Sequence, residues 1–112
     1  MSSDNQVKTG TFTGAGVAVN LPLGFDADYV RVSNITDGDI VFEWYRGMTD
    51  GHALQATNHD TTQRSRITAN GVSLYAGEAG ASDEDGIAKG ITLGTAICEN
   101  EKLIGWYAIR NR

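Results

Sequence analysis

Apolar and polar residues alternate with a period of two along much of this chain. Between Gly24 and Met48 it reads GFDADYVRVSNITDGDIVFEWYRGM, where Tyr29 to Ser33 and Ile40 to Tyr45 form two runs joined at Asp37-Gly38. Both runs are rich in β-branched and aromatic residues, which suit a pleated, half-buried surface. An Asp-Gly pair supplies the positive φ of a tight turn, so the stretch predicts a β-hairpin. Asp50-Gly51, Asn70-Gly71 and Asp85-Gly86 repeat the turn signal. Between these points the pattern predicts strands over Val7 to Phe12, Gly16 to Leu21, Tyr29 to Asn34, Asp39 to Tyr45, Arg64 to Thr68, Val72 to Tyr75, Gly90 to Leu93, Thr95 to Cys98 and Lys102 to Ile109.

No long segment carries helical periodicity. The expected fold is therefore all-β: a single-domain antiparallel β-sandwich or small barrel of about eight to nine short strands. The domain is expected to span residues 7–112. Residues 1–6 are polar and small, and are expected to form a flexible N-terminal arm. Arg46 to Thr62 is polar and too long for an ordinary hairpin connection, so it reads either as a contact loop or as a solvated one. Ala76 to Lys89 concentrates four acidic residues and three glycines in a third polar segment.

Two predicted strands depart from the rule that one face of a sheet is polar. In the last, Leu103, Tyr107 and Ile109 project to one side while Ile104, Trp106 and Ala108 project to the other. In the strand ending at Tyr45, Ile40, Phe42 and Trp44 share one face, and Val41, Glu43 and Tyr45 the other. Apolar residues on both faces imply either a central strand beneath long loops or burial against another subunit, and the second reading is favoured.

Charge narrows the partners. Fourteen acidic and nine basic residues give a net charge of −5, which argues against a surface that neutralises a nucleic-acid backbone or an anionic membrane. No apolar run approaches the ~20 residues of a membrane helix, and the start of the chain lacks a secretory pattern. The single cysteine, Cys98, allows no internal disulfide and no thiolate cluster, in keeping with maturation in a reducing cytoplasm. Fourteen glycines against the single Pro22 suggest tight turns rather than a disordered Pro-rich tract.

The motifs that suggest chemistry have simpler structural readings. Gly10-Thr11-Phe12-Thr13-Gly14-Ala15-Gly16 lacks the third spaced glycine and the Gly-Lys-Ser/Thr ending of a phosphate loop, and reads as a hairpin turn. Asp83-Glu84-Asp85-Gly86 lacks the closing glutamate of a calcium loop, since Thr92 stands there. His52 and His59, beside Asp50 and Asp60, match no ligand spacing and read as surface residues. Asp26 with Asp28, and Asp37 with Asp39, sit at strand ends and turns rather than across a cleft. Cys98 reads as a small core residue, because no electropositive neighbour activates it. Asn34-Ile35-Thr36 fits a glycosylation sequon but reads as a polar strand end. Trp44, Tyr45, Trp106 and Tyr107 fit a sugar-stacking platform, and equally a core or a subunit interface.

Gly24 to Val32, Asn34-Ile35-Thr36-Asp37-Gly38 and Phe42-Glu43-Trp44-Tyr45-Arg46-Gly47-Met48 resemble segments of small virion proteins of tailed bacteriophages. Gly90 to Thr95 and Trp106 to Arg110 resemble the last strands of the same proteins. Most similar are the capsid decoration, or cement, proteins. The resemblance implies a non-enzymatic β domain that assembles as a homo-oligomer, commonly a trimer, on the outer surface of the head lattice. It implies the major capsid protein as partner, a place on the virion after synthesis in the host bacterial cytoplasm, no cofactor and no catalytic residue. The expected oligomer contacts are Tyr45, Tyr107 and Ile109. The expected capsid contacts are Ser2, Ser3, Asp4, Asn5, Gln6, Val7, Lys8 and Thr9, acting by strand addition. Two other classes stay open. One is a tail or fibre adhesin whose Arg46 to Thr62 segment and strand aromatics contact a host glycan, which a solvent-exposed, coplanar Trp or Tyr pair would favour; the other is an enzyme that gathers His52 or His59 with carboxylates in a pocket.

Overall fold

The computed structural model describes residues 6–58, 62–77 and 89–111. It contains eight strands: β1 (Gln6–Thr13), β2 (Val19–Pro22), β3 (Tyr29–Asn34), β4 (Ile40–Tyr45), β5 (His52–Asn58), β6 (Thr62–Tyr75), β7 (Gly90–Leu93) and β8 (Leu103–Arg110). All belong to one sheet of order β1-β8-β3-β4-β5-β6-β7-β2, and every ladder is antiparallel. The all-β expectation holds.

The sheet curls because β6 serves two neighbours. Its first half pairs with β5, up to Ala53 opposite Ile67, and its second half, Val72 to Tyr75, pairs with β7. At the junction the register jumps, so that His52 already faces Val72. Asn70, with φ 61°, turns the chain inside the strand. The unmatched residues bend the strand, as a β-bulge does. Two layers result: β1-β8-β3-β4-β5 with the first half of β6, and the second half of β6 with β7 and β2.

Four sequence expectations change here. Arg64 to Thr68 and Val72 to Tyr75 are one strand, and Asn70-Gly71 bends it instead of closing a hairpin. The Arg46 to Thr62 segment is not a loop throughout, since β5 occupies His52 to Asn58. Thr95 to Cys98 is a turn in which the Ile97 and Cys98 amides both donate to the Gly94 carbonyl. Gly10 to Gly16 closes no hairpin: β1 and β2 lie at opposite ends of the strand order, and the Gly14 and Gly16 amides bond to Lys102 and Cys98. A Cβ on Gly14 would stand 2.1 Å from the Glu99 carbonyl oxygen, so the crossing needs glycine.

The core lies between the layers. Val30, Val32, Phe42, Trp44, Ala53, Ile104 and Ala108 face inward from the first, and Val72, Ile91 and Leu93 from the second. Leu23, Phe25 and Ala27, alternating along the segment before β3, fill one side, while Ile97 and Cys98 fill another. Each large side chain so buried contributes about 1.5–3 kcal/mol relative to exposure. Asn34, the one buried polar residue among those described, is only 4% exposed. Its Nδ2 donates to Asp37 Oδ2 (3.1 Å) and Glu99 Oε2 (3.0 Å), tying the β3–β4 turn to the β7–β8 turn. The sequon asparagine is thus the strand-end residue its simpler reading required.

Candidate functional site

Register partners in an antiparallel sheet share a face, so the ladders show what each layer presents to solvent. Across the first layer, Val7, Ile109, Tyr29 and Tyr45 form one outward row over four strands. Thr9, Tyr107, Arg31, Glu43, Leu54 and Arg66 form the next, over six. Val7 is 55% exposed, Tyr45 48%, Leu54 41% and Tyr107 39%. The second layer is smaller: one outward row reads Asn20, Thr92 and Ser73, with the Thr92 hydroxyl donating to Asn20 Oδ1 at 2.6 Å, and the next reads Pro22, Gly90 and Tyr75. The first layer's solvent face is the broader one, and it carries exposed apolar and aromatic side chains in two adjoining rows. Large exposed apolar patches mark interaction sites.

Tyr45, Tyr107 and Ile109, the expected oligomer contacts, therefore lie together on this outer face. Val7, Tyr29, Leu54 and the arginines 31, 64 and 66 join them, although the sequence reading did not single them out for it. The period-two spacing of Tyr29 and Arg31 held that information once the hairpin was known. Arg64 and Arg66 needed the existence of β5, which the sequence reading lacked. Between Thr11 and Ser33 the row passes through Gly105, whose missing side chain leaves a shallow depression of about 310 Å³ beside Arg31, Ile35 and Tyr107.

Tyr29 and Tyr45 have ring centroids 5.0 Å apart and planes inclined by 51°. The Tyr29 hydroxyl donates to Glu43 Oε2 at 2.5 Å. Burial, then that hydrogen bond to Glu43, pushes the phenol pKa from 10.0 up to about 12. Trp44 and Trp106 point to the other face: Trp44 is core, and Trp106 packs against it and over Gly10. The four strand aromatics are therefore split between two faces and form no common platform.

Gln6, assigned above to the arm, opens β1. Gln6, Val7, Lys8 and Thr9 pair with Arg110, Ile109, Ala108 and Tyr107. β1 ends the strand order, and its outer edge has no strand beside it among the described residues. Ser2, Ser3, Asp4 and Asn5 lie outside the described residues, as do His59, Asp60 and the Asp83 to Gly86 run.

The paired carboxylates serve structure. Asp28 binds Arg46 at 3.1 Å and accepts the Asn111 amide; Asp26 lies 3.8 Å from Lys89; Asp37 binds Lys102 at 3.1 Å. Asp50 accepts the Leu74 amide, and His52 is half-buried in β5. Among the described residues no cluster of His, Cys, Asp and Glu is arranged to hold a metal ion, and no helix is long and apolar enough to cross a membrane. Cys98 is buried, and burial raises its thiol pKa. Compared with protein-family models, curated proteins and solved structures, the chain finds no match.

Proposed function

We propose that the protein is a non-enzymatic virion structural protein that decorates the outer surface of a bacteriophage head lattice as a homo-oligomer, with a trimer as the favoured state. The observation that carries association is the outer face of the first layer, where Val7, Ile109, Tyr29, Tyr45 and Tyr107 stand exposed or half-buried in two adjoining rows across β1, β8, β3 and β4. Covering this face removes apolar area from water and costs little side-chain entropy, because the tyrosines are already packed in the sheet. The phage-like segments support the choice of partner. The major capsid protein would meet the arm and the β1 edge, where an added strand gains backbone hydrogen bonds and where Lys8 is the one charge in β1. Three linked copies engaging three lattice positions would gain avidity of about 10² or more.

A coplanar exposed aromatic pair would favour the glycan-adhesin reading, and the 51° inclination of Tyr29 and Tyr45 lends it no such support. Cryo-electron microscopy of virions carrying the protein tests the proposal. Density matching the eight-stranded domain on the head lattice is expected, and density confined to the tail would overturn it.

A further inference from the structure

The outer face carries charge as well as apolar surface, and that charge is mostly of one sign. Arg31, Arg64 and Arg66 stand on it against the single Glu43, in a chain whose net charge is −5. All three arginines are exposed. Arg64 and Arg66 lie on the part of β6 where Gln63 to Arg66 are exposed in succession, on both faces of the strand. Among the described residues no carboxylate forms an ion pair with any of the three. Folding the face onto its own copy about a two-fold axis that runs across the strands would set these cations against one another, and like charges in contact oppose association.

The complementary surface lies elsewhere on the same chain. At the end of the first layer, the β3–β4 and β7–β8 turns bring Asp37, Asp39 and Glu99 around Lys102, and Glu101 precedes that lysine in the chain. Asp37 and Glu99 share the Asn34 amide. Lys102 binds Asp37, and Glu99 and Asp39 add to the field that holds its proton. Glu99 and Glu101 are exposed.

We infer that a second copy of this chain docks its acidic turn end onto the arginine-bearing outer face, making a head-to-tail interface. The inference rests on the self-association proposed above and gives it a polarity. A contact between two different surfaces leaves each copy with one free half of either kind. It therefore propagates until a ring closes, as a cyclic trimer requires, whereas a face-to-face dimer would stop at two. The apolar rows supply the burial; the charges fix the orientation and speed the encounter.

The test is a charge exchange read by light-scattering mass against concentration. Arg64→Glu with Arg66→Glu should lower the association constant at least tenfold, and so should Glu99→Lys with Glu101→Lys. Placing all four changes in one chain should restore at least tenfold over either half-variant, since both halves of the contact are then reversed together. Association of the unmodified protein should also weaken in about 1 M salt, where the screening length is about 3 Å. An oligomer unaffected by the arginine reversals, or a fourfold variant no tighter than its halves, overturns this inference while leaving self-association intact. An unmodified protein that stays monomeric at every concentration overturns both. The arginine pair lies on exposed strand away from the core, so its variant reads the interface even if the Glu99 change, which breaks the Asn34 bond, disturbs the fold.

Discussion

Tyr29 and Tyr45 lean against each other across β3 and β4, 5.0 Å between centroids and 51° between planes, with the Tyr29 hydroxyl held by Glu43. A tilted cross-strand pair of this kind is worth about 0.2–1 kcal/mol to the sheet. It also holds two large side chains in place at the surface before any partner arrives, so that less ordering remains to be done on binding.

The Tyr29 phenol gives this arrangement a pH signature. Its folded pKa of about 12 lies above the ordinary 10.0, so the folded state holds the proton more tightly than the unfolded one. The resulting stability is complete below pH 10.0 and declines as pH rises toward about 12. Denaturant midpoints measured across that window should fall more steeply for the natural protein than for Tyr29→Phe. Parallel slopes would contradict the assignment. Glu43→Gln should bring the ultraviolet titration of the phenol to lower pH.

Gly90 marks where the second layer closes on itself. A Cβ there would stand 2.0 Å from the Leu21 carbonyl oxygen and 2.7 Å from the Leu23 amide, both backbone atoms. Gly90→Ala should therefore force β2 away from β7 and cost more than the ~1 kcal/mol typical of a point mutation. Thermal unfolding measures it, and an unchanged midpoint would refute the close approach.

Cys98 is expected to be inert. Its thiol is buried, donates to the Leu93 carbonyl at 3.4 Å, and has its pKa raised by burial. A thiol reagent should label it only under denaturing conditions. Labelling of the native protein at the rate of a free thiol would show that the β7–β8 turn opens.

Removing residues 2–8 takes away the arm and the Gln6, Val7 and Lys8 pairs with β8. No residue of the core cluster lies in that stretch. The remainder should fold, and associate through Tyr29, Tyr45, Tyr107 and Ile109 with only Val7 lost from the face, but fail to bind phage heads, as a pull-down on purified heads would show. Undiminished binding would remove the arm and the start of β1 from the proposed capsid contact.

Much of the fold was legible from local pattern. Tyr29 to Asn34 and Gly90 to Leu93 coincide with β3 and β7, and the hairpin at Asp37-Gly38 formed as its turn residues required. β5 was hidden because HALQATN holds little alternation: Ala53 is buried but small, and the larger Leu54 faces outward. Asn70-Gly71 carries the dipeptide of a tight turn, yet the ladders to β5 and β7 continue on either side of it, so tertiary pairing made it a bend. Ile97 and Cys98 looked like strand residues because a turn that plugs a core is as apolar as a strand. The outer face was half visible. The two-faced patterns of β4 and β8 placed Tyr45, Tyr107 and Ile109 on it, whereas Arg64, Arg66 and Leu54 joined only through the long-range register of β4, β5 and β6.

Association through the outer face is the claim on which the rest depends, and the mass of Tyr107→Asp in solution tests it most directly. Tyr107 is 39% exposed and projects from β8 between Thr9 and Arg31, so a carboxylate there leaves the core untouched. The natural protein should scatter light as an oligomer, with three times the chain's 12.0 kDa as the favoured mass. The folded variant should fall to the mass of a single chain. An oligomer of unaltered mass in the variant, or a natural protein that is itself a monomer, would contradict the account.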